Sequence, residues 1–224
     1  MSSPLADAPQ TGTSARLIKL HQKYSHRHRI SVLATTLART MSVLQQQPRC
    51  IDIGCGDMQI AEAIAQALPG SAWRCLDVYP LPAELSQEPR WAKYMQIDGA
   101  LLPFEDQSQD VALFCDVLHH MPDRLPVQMM KEAGRVARYV VIKDHFEYGL
   151  WSRTWLRAMD FVGNWAYGVS VPRRYFDQAG FEKAVADAGL RIESMQIGVD
   201  LYAHLPLVRN VLRKHWQFIA VLSR

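Results

Sequence analysis

Between residues 17 and 44 the apolar side chains Leu17, Ile18, Leu20, Ile30, Leu33 and Leu37 recur at steps of three and four, interrupted by the basic insert Ser25-His26-Arg27-His28-Arg29. That spacing predicts one or two helices over 16–46, ahead of the main fold. Next comes Arg49-Cys50-Ile51-Asp52-Ile53, a short β-branched run closed by Gly54-Cys55-Gly56. Ile60, Ala61, Ile64, Ala65 and Leu68 follow at helical spacing, and Pro69-Gly70 stops them. Strand, glycine turn and helix are thus legible in order. Residues 73–78, 95–97 and 110–115 read as further strands, the last apolar enough to be buried on both faces. A helix is expected over 126–137 and a strand over 139–142. Such alternation implies a parallel sheet with helices on each side. After Phe146 the rhythm breaks into a stretch holding Trp151, Trp155 and Trp165. A helix over 177–188 with Gly189 in the C′ position comes next, then two strand candidates at 191–197 and 216–222.

The 224 residues, 49% apolar and 21% charged, suit one ordinary domain with a sizeable core, and they exclude a disordered, collagenous or coiled-coil chain. We expect residues 1–15 to be a disordered tail and 16–224 a single domain. A formal charge of +3 is too small for a surface built to grip nucleic acid, so no nucleic-acid partner is expected. No apolar run reaches the roughly 18 residues of a membrane span. The first sixteen residues read as a Ser/Thr/Pro/Ala tail without the apolar core of a signal peptide, and a cytoplasmic location is the expectation. Cys50, Cys55, Cys75 and Cys115 lack C-x-x-C spacing and read as small reduced core residues.

In open α/β sheets, ligands bind at the carboxyl ends of the strands, and the first strand–helix turn supplies the close backbone approach. Gly54 and Gly56 stand in that turn, and Asp77 follows Gly56 by 21 residues, at the end of the second strand, where a carboxylate can accept both hydroxyls of a ribose. Two cofactor classes compete for this pattern. A nicotinamide or flavin site wants G-x-G-x-x-G, but Met58 and Gln59 occupy the end of the motif. S-adenosylmethionine, a nucleoside joined to an amino acid, needs instead a series of acids at strand ends, and Asp52, Asp77 and Asp98 offer them.

These segments carry a resemblance. Ile51-Asp52-Ile53-Gly54-Cys55-Gly56-Asp57 resembles the first signature of class I S-adenosylmethionine-dependent methyltransferases. Asp98-Gly99-Ala100-Leu101-Leu102-Pro103-Phe104 is similar to the adenine-binding segment of the methyltransferase type 11 group, which includes the ubiquinone and menaquinone methyltransferases. Asp110-Val111-Ala112-Leu113-Phe114-Cys115-Asp116-Val117-Leu118-His119-His120 resembles that group's fourth-strand signature. Ile142-Lys143-Asp144-His145, with Met159-Asp160-Phe161-Val162-Gly163-Asn164, resembles a bacterial subgroup. The resemblance covers residues 45–200, and many members carry glycine where this chain has Met58. It implies a Rossmann-like α/β fold: a seven-stranded, mostly parallel sheet with an antiparallel last strand over 216–222 and helices on both faces. It also implies S-adenosylmethionine as cofactor, held by Asp52, Gly54, Gly56, Asp77, Val78, Asp98, Gly99 and Asp116, with Arg29 of the basic insert expected near the cofactor carboxylate.

For the acceptor, Lys143-Asp144-His145 should emerge at the cleft mouth, making His145 the first candidate base, Asp144 the second and His119 the third. Trp151, Trp155, Met159 and Val162 form one apolar stripe at helical spacing. With 146–176 as a lid-like insertion, Trp155, Asp160, Asn164 and Tyr175 become candidate contacts to a small, apolar aromatic or acyl-derived acceptor. No metal is expected, on the view that the adjacent side chains of His119 and His120 diverge. A basic face at 205–214 could touch a membrane surface, but a solvated face over a packed stripe is preferred. A non-catalytic nucleotide- or cofactor-binding module is the rival reading. Neither the acceptor, the methylated atom nor the oligomeric state is legible.

Overall fold

The middle of the sheet forms the centre of the molecule because the side chains there are apolar on both faces. In β4 (Gln109–Cys115), Val111, Ala112, Leu113 and Phe114 are all completely buried, as expected of a strand covered by helices on each side. The computed structural model describes residues 12–81, 88–99, 101–122, 124–164, 172, 174–203 and 212–224. β1 (Arg49–Ile53), β2 (Ala72–Asp77), β3 (Tyr94–Gln96), β4 and β5 (Ala137–His145) run parallel. β7 (Gln217–Ser223) is inserted antiparallel between β5 and β6 (Arg191–Ile197), giving the order β3-β2-β1-β4-β5-β7-β6. The order reverses between β1 and β4, and the carboxyl ends of these two strands flank the crevice where such sheets bind ligands.

Two apolar layers sandwich the sheet. On one face α1 (Gly12–Leu44) presents Leu33, Leu37 and Met41 at steps of four, and α2 (Gln59–Ala67) adds Ala61 and Ile64. On the other face α3 (Leu125–Val136) and α5 (Gln178–Asp187) supply Met129, Met130, Ala133, Phe181 and Val185. Phe146 and Phe218 stack with ring centroids 3.9 Å apart, and Phe181 closes on both. Each fully buried Leu or Phe contributes about 1.5–3 kcal/mol. Asp177 caps α5 by accepting the Gly180 N–H at 2.7 Å, and Gly189 ends it at φ +70°.

The pattern-based boundaries hold to within a residue or two, with three differences. The N-terminal segment is one helix, and it begins at Gly12, inside the stretch read as tail. β5 runs three residues past Ile142, because Lys143, Asp144 and His145 are neutralised by one another and by neighbours, so polar residues extend a buried strand. α4 (Leu150–Asn164) buries a face other than the tryptophan stripe. Ser152 and Leu156 point inward, while Trp151 is 63% exposed, Trp155 36%, and the two rings pair edge-on at 5.8 Å. The inward register is set by polar anchors. The Ser152 hydroxyl accepts the Tyr148 N–H at 2.6 Å, and Glu147 holds both Arg153 and the Tyr175 N–H. Trp165 and most of the basic 205–214 segment lie outside the described residues. Among those described, no helix is long and apolar enough to cross a membrane.

Candidate active site

At the end of β1 the chain turns so sharply that its amides fold back onto β2. The N–H groups of Gly54 and Cys55 both donate to the Leu76 carbonyl, at 2.8 and 3.1 Å. Gly54 takes φ +77°, and a Cβ there would lie 2.3 Å from Val117 Cγ2, so only glycine fits. At Gly56, φ is +51°, and its N–H donates to Asp77 Oδ2 at 2.9 Å; an added Cβ would meet nothing within 4 Å. Asp77 also accepts the Tyr79 N–H at 3.2 Å. A carboxylate has about four acceptor positions, so Asp77 keeps capacity for ligand hydroxyls. Met58 is left-handed too, at φ +61°, and fully buried in the α1–α2 core. The left-handed backbone accounts for a glycine preference at this position, and the side chain packs inward rather than reaching the ligand.

Beyond this turn opens a cavity of about 830 Å³, lined by Gly54, Gly56, Asp77, Val78 and Gly99 on one side and by Arg29, Asp116, His120, His145, Met159 and Asp160 on the other. The volume is within the range of cofactor and small-molecule sites. Its far wall is a network of buried charge. Asp116, at φ +55°, takes Arg29 Nη2 at 2.8 Å and the ammonium of Lys143, a side chain with no exposure at all. His145 Nδ1 stands 3.3 Å from Asp116 and 3.4 Å from Asp144. Burial opposes ionisation of Asp116, yet Lys143, His145 and Arg29 hold its carboxyl well below the usual range. Asp144 accepts the Nδ1–H of His119 at 2.5 Å and the His145 N–H at 2.7 Å, and these keep it ionised against the same penalty. Burial and then Lys143 depress the His145 imidazole, whereas in His119 the Asp144 carboxylate overrides burial and raises it. His119 Nε2 points away from Asp144, 3.5 Å from Asp160 Oδ2, and Asp160 in turn accepts the Tyr175 hydroxyl.

Of the residues expected at the cofactor, Gly54, Gly56, Asp77, Val78, Gly99, Asp116 and Arg29 lie in the cavity wall. Asp52 and Asp98 do not. Asp52 is buried at the end of β1, where desolvation and then Asp77 push its carboxyl up to about 7, and Asp98 is solvent-exposed beyond β3. Of the acceptor-side candidates, His145 and Asp160 line the cavity, while Asp144, His119 and Tyr175 stand behind them. Trp155 turns outward, because Ser152, Leu156 and Asp160 take the inward face of α4. The Asn164 side chain is outside what the structure describes. The expectation that His119 and His120 diverge is corrected. The single 3-10 turn of 118–120 sets their rings side by side, with centroids 4.2 Å apart. Sequence reasoning missed Lys143 as the buried partner of Asp116 and chose His119 as the candidate where His120 lines the cavity; its one signal was polar residues terminating two apolar strands.

This strand order and this site define a class I methyltransferase fold. Residues 51–139 match the family model of the methyltransferase domain, type 11 group. The fold is similar to the methyltransferase of Haloferax volcanii solved with its Trm112 activator (TM-score 0.61, 16% identity, 97% of this chain and 99% of that one). It is also similar to an S-adenosylmethionine-dependent methyltransferase of Mesorhizobium loti (0.60, 15%, 84% and 96%). A third similar structure is the mitomycin 7-O-methyltransferase MmcR (0.58, 17%), of which the alignment spans 54% against 85% of this chain. No curated protein sequence matches.

Proposed function

We propose that the chain transfers the methyl group of S-adenosylmethionine to an oxygen of a small apolar acceptor, aromatic or acyl-derived, with His145 as the base. The observation that carries this is the position of His145, in the wall of the same cavity as the glycine turn and Asp77 and backed by two carboxylates. The cofactor fits the residues present: the space beside Gly56 is open to it, Asp77 can take the ribose hydroxyls, and Arg29, whose buried Nε has no hydrogen-bond partner, suits the amino-acid carboxylate. Val78 and Gly99 flank the adenine side. When bound, S-adenosylmethionine supplies a methyl already activated by its sulfonium charge, so the protein's task is orientation and proton removal.

His145 performs the second task as a neutral imidazole. Asp116 and Asp144 stand 3.3 and 3.4 Å from its Nδ1, and it takes the acceptor hydroxyl proton as the oxygen attacks. Met159, Met121 and Leu125 offer the apolar surface. MmcR, which shares the fold, is itself an O-methyltransferase by its description. The test is methyl transfer from labelled cofactor to a panel of phenols, enols and hydroxy acids, with cofactor affinity read by calorimetry. His145→Ala should lower turnover by about 100-fold or more and leave cofactor affinity unchanged. Asp77→Ala should weaken cofactor binding by about 10-fold or more. Turnover by His145→Ala near the wild-type rate would overturn the assignment of the base, and a methyl found on carbon would overturn the oxygen acceptor.

A further inference from the structure

One buried polar atom just behind the cavity wall is unaccounted for. His119 Nε2 has no hydrogen-bond partner, although the side chain is 1% exposed and its other nitrogen is firmly bonded to Asp144. It faces Asp160 and the ring of His120, both of which open on the cavity. The donor atoms of His119, His120 and Asp160 all lie within 4.8 Å of one another. We propose that these three residues form a binding site for a first-row divalent cation of the zinc type.

The geometry is close to what such a cation requires. Imidazole and carboxylate ligands sit about 2.0–2.2 Å from zinc, so in tetrahedral arrangement two of them are about 3.4 Å apart. The His119 Nε2 to Asp160 Oδ2 distance is 3.5 Å. The His120 donor lies within 4.8 Å of both of these atoms. Two imidazoles and one carboxylate, with no thiolate, select zinc, iron(II) or cobalt(II) over calcium or magnesium. Three protein ligands leave a coordination position free, as catalytic rather than structural sites do. The supporting groups are in place as well. Asp144 accepts the Nδ1–H of His119, which fixes Nε2 as the ligating nitrogen, and the Tyr175 hydroxyl orients Asp160. His120 and Asp160 line the same cavity as His145, whose ring lies 5.4 Å from that of His119.

The role of the cation rests on the methyltransferase reading; its binding does not. As a Lewis acid it would hold the acceptor oxygen and lower its pKa, so that His145 need remove only a weakly held proton. The acceptor class narrows accordingly to molecules with a hydroxyl able to ligate a metal.

The full-length chain, stripped with a chelator, is titrated with Zn2+ and with Co2+ by calorimetry and visible spectroscopy. One equivalent should bind and give the absorption of a low-symmetry cobalt site. His120→Ala and Asp160→Asn should each weaken binding by about 10-fold or more, since loss of a group that merely orients a ligand already costs about 10–100-fold. His215→Ala, remote from the cluster, should not weaken it. Circular dichroism of each variant reports whether it is folded. Should a variant fail to fold, X-ray absorption at the zinc edge of the wild-type protein still decides, because a shell of nitrogen and oxygen supports the site and sulfur ligation overturns it. Absence of a stoichiometric site in the wild-type chain, or equal affinity in His120→Ala and Asp160→Asn, also overturns the proposal. Metal binding without methyl transfer would instead put the methyltransferase reading in error and leave the site standing.

Discussion

Asp116→Asn isolates the strongest electrostatic commitment of the fold. The substitution keeps the volume, and Asn accepts the backbone at φ +55° as readily as Asp does. What it removes is the negative charge facing Lys143, whose side chain has no exposure. Breaking a buried pair on one side costs about 3–5 kcal/mol, because the partner is left charged and uncompensated. The amide oxygen still accepts one hydrogen bond, so we expect a loss at the lower end of that range, about 3 kcal/mol. Urea unfolding followed by circular dichroism measures it. The double variant Lys143→Met/Asp116→Asn should recover part of the loss, since an apolar replacement of similar length carries no charge to strand. A loss below about 1 kcal/mol, or a double variant worse than the single, would refute the reasoning.

Three further outcomes are expected. Asp52 is raised from 3.8 to about 7 in the folded chain, so its proton stabilises the fold fully below pH 3.8 and that contribution, up to about 4 kcal/mol, is lost as pH rises through 7. Asp52→Asn should therefore gain stability over the wild type between pH 4 and 8 in parallel unfolding curves, and a constant difference would count against it. Gly54→Ala should cost about 2–4 kcal/mol from left-handed strain and overpacking on Val117, and Val117→Ala in the same chain should restore part of it in thermal melts. Trp151→Ser with Trp155→Ser should change unfolding free energy by under about 1 kcal/mol, as two exposed side chains imply; a loss above 3 kcal/mol would mean that the stripe is core after all.

What could be read from the sequence was whatever local pattern determines. β1, the glycine turn and α2 form one contiguous unit whose apolar spacing, glycines and Pro69-Gly70 stop are all short-range signals. The antiparallel last strand followed from the resemblance rather than from spacing. β5 was cut short for a physical reason: Lys143, Asp144 and His145 look like a strand ending at solvent. Only contacts to Asp116, 27 positions away, and to His119, 25 positions away, make them a buried continuation. A single sequence contains the residues of such a network but not their pairing.

α4 shows the same limit from the other side. A period of 3.6 identifies a helix and the phase of its apolar stripe, yet it does not say whether that stripe or its complement faces the protein. Area alone favours burying Trp151 and Trp155. The protein instead buries Ser152 and Leu156 and directs Asp160 toward the cavity, because the Tyr148 N–H and the Tyr175 hydroxyl each require a partner from that face. An unsatisfied buried polar group costs about 1–3 kcal/mol, comparable to what one indole gains by burial, and here the groups act in concert. The reversed helix is thus a consequence of the charged cavity wall. The demand for partners at Tyr148 and Tyr175 fixes the register of α4, and the same register carries Met159 and Asp160 into the cavity wall.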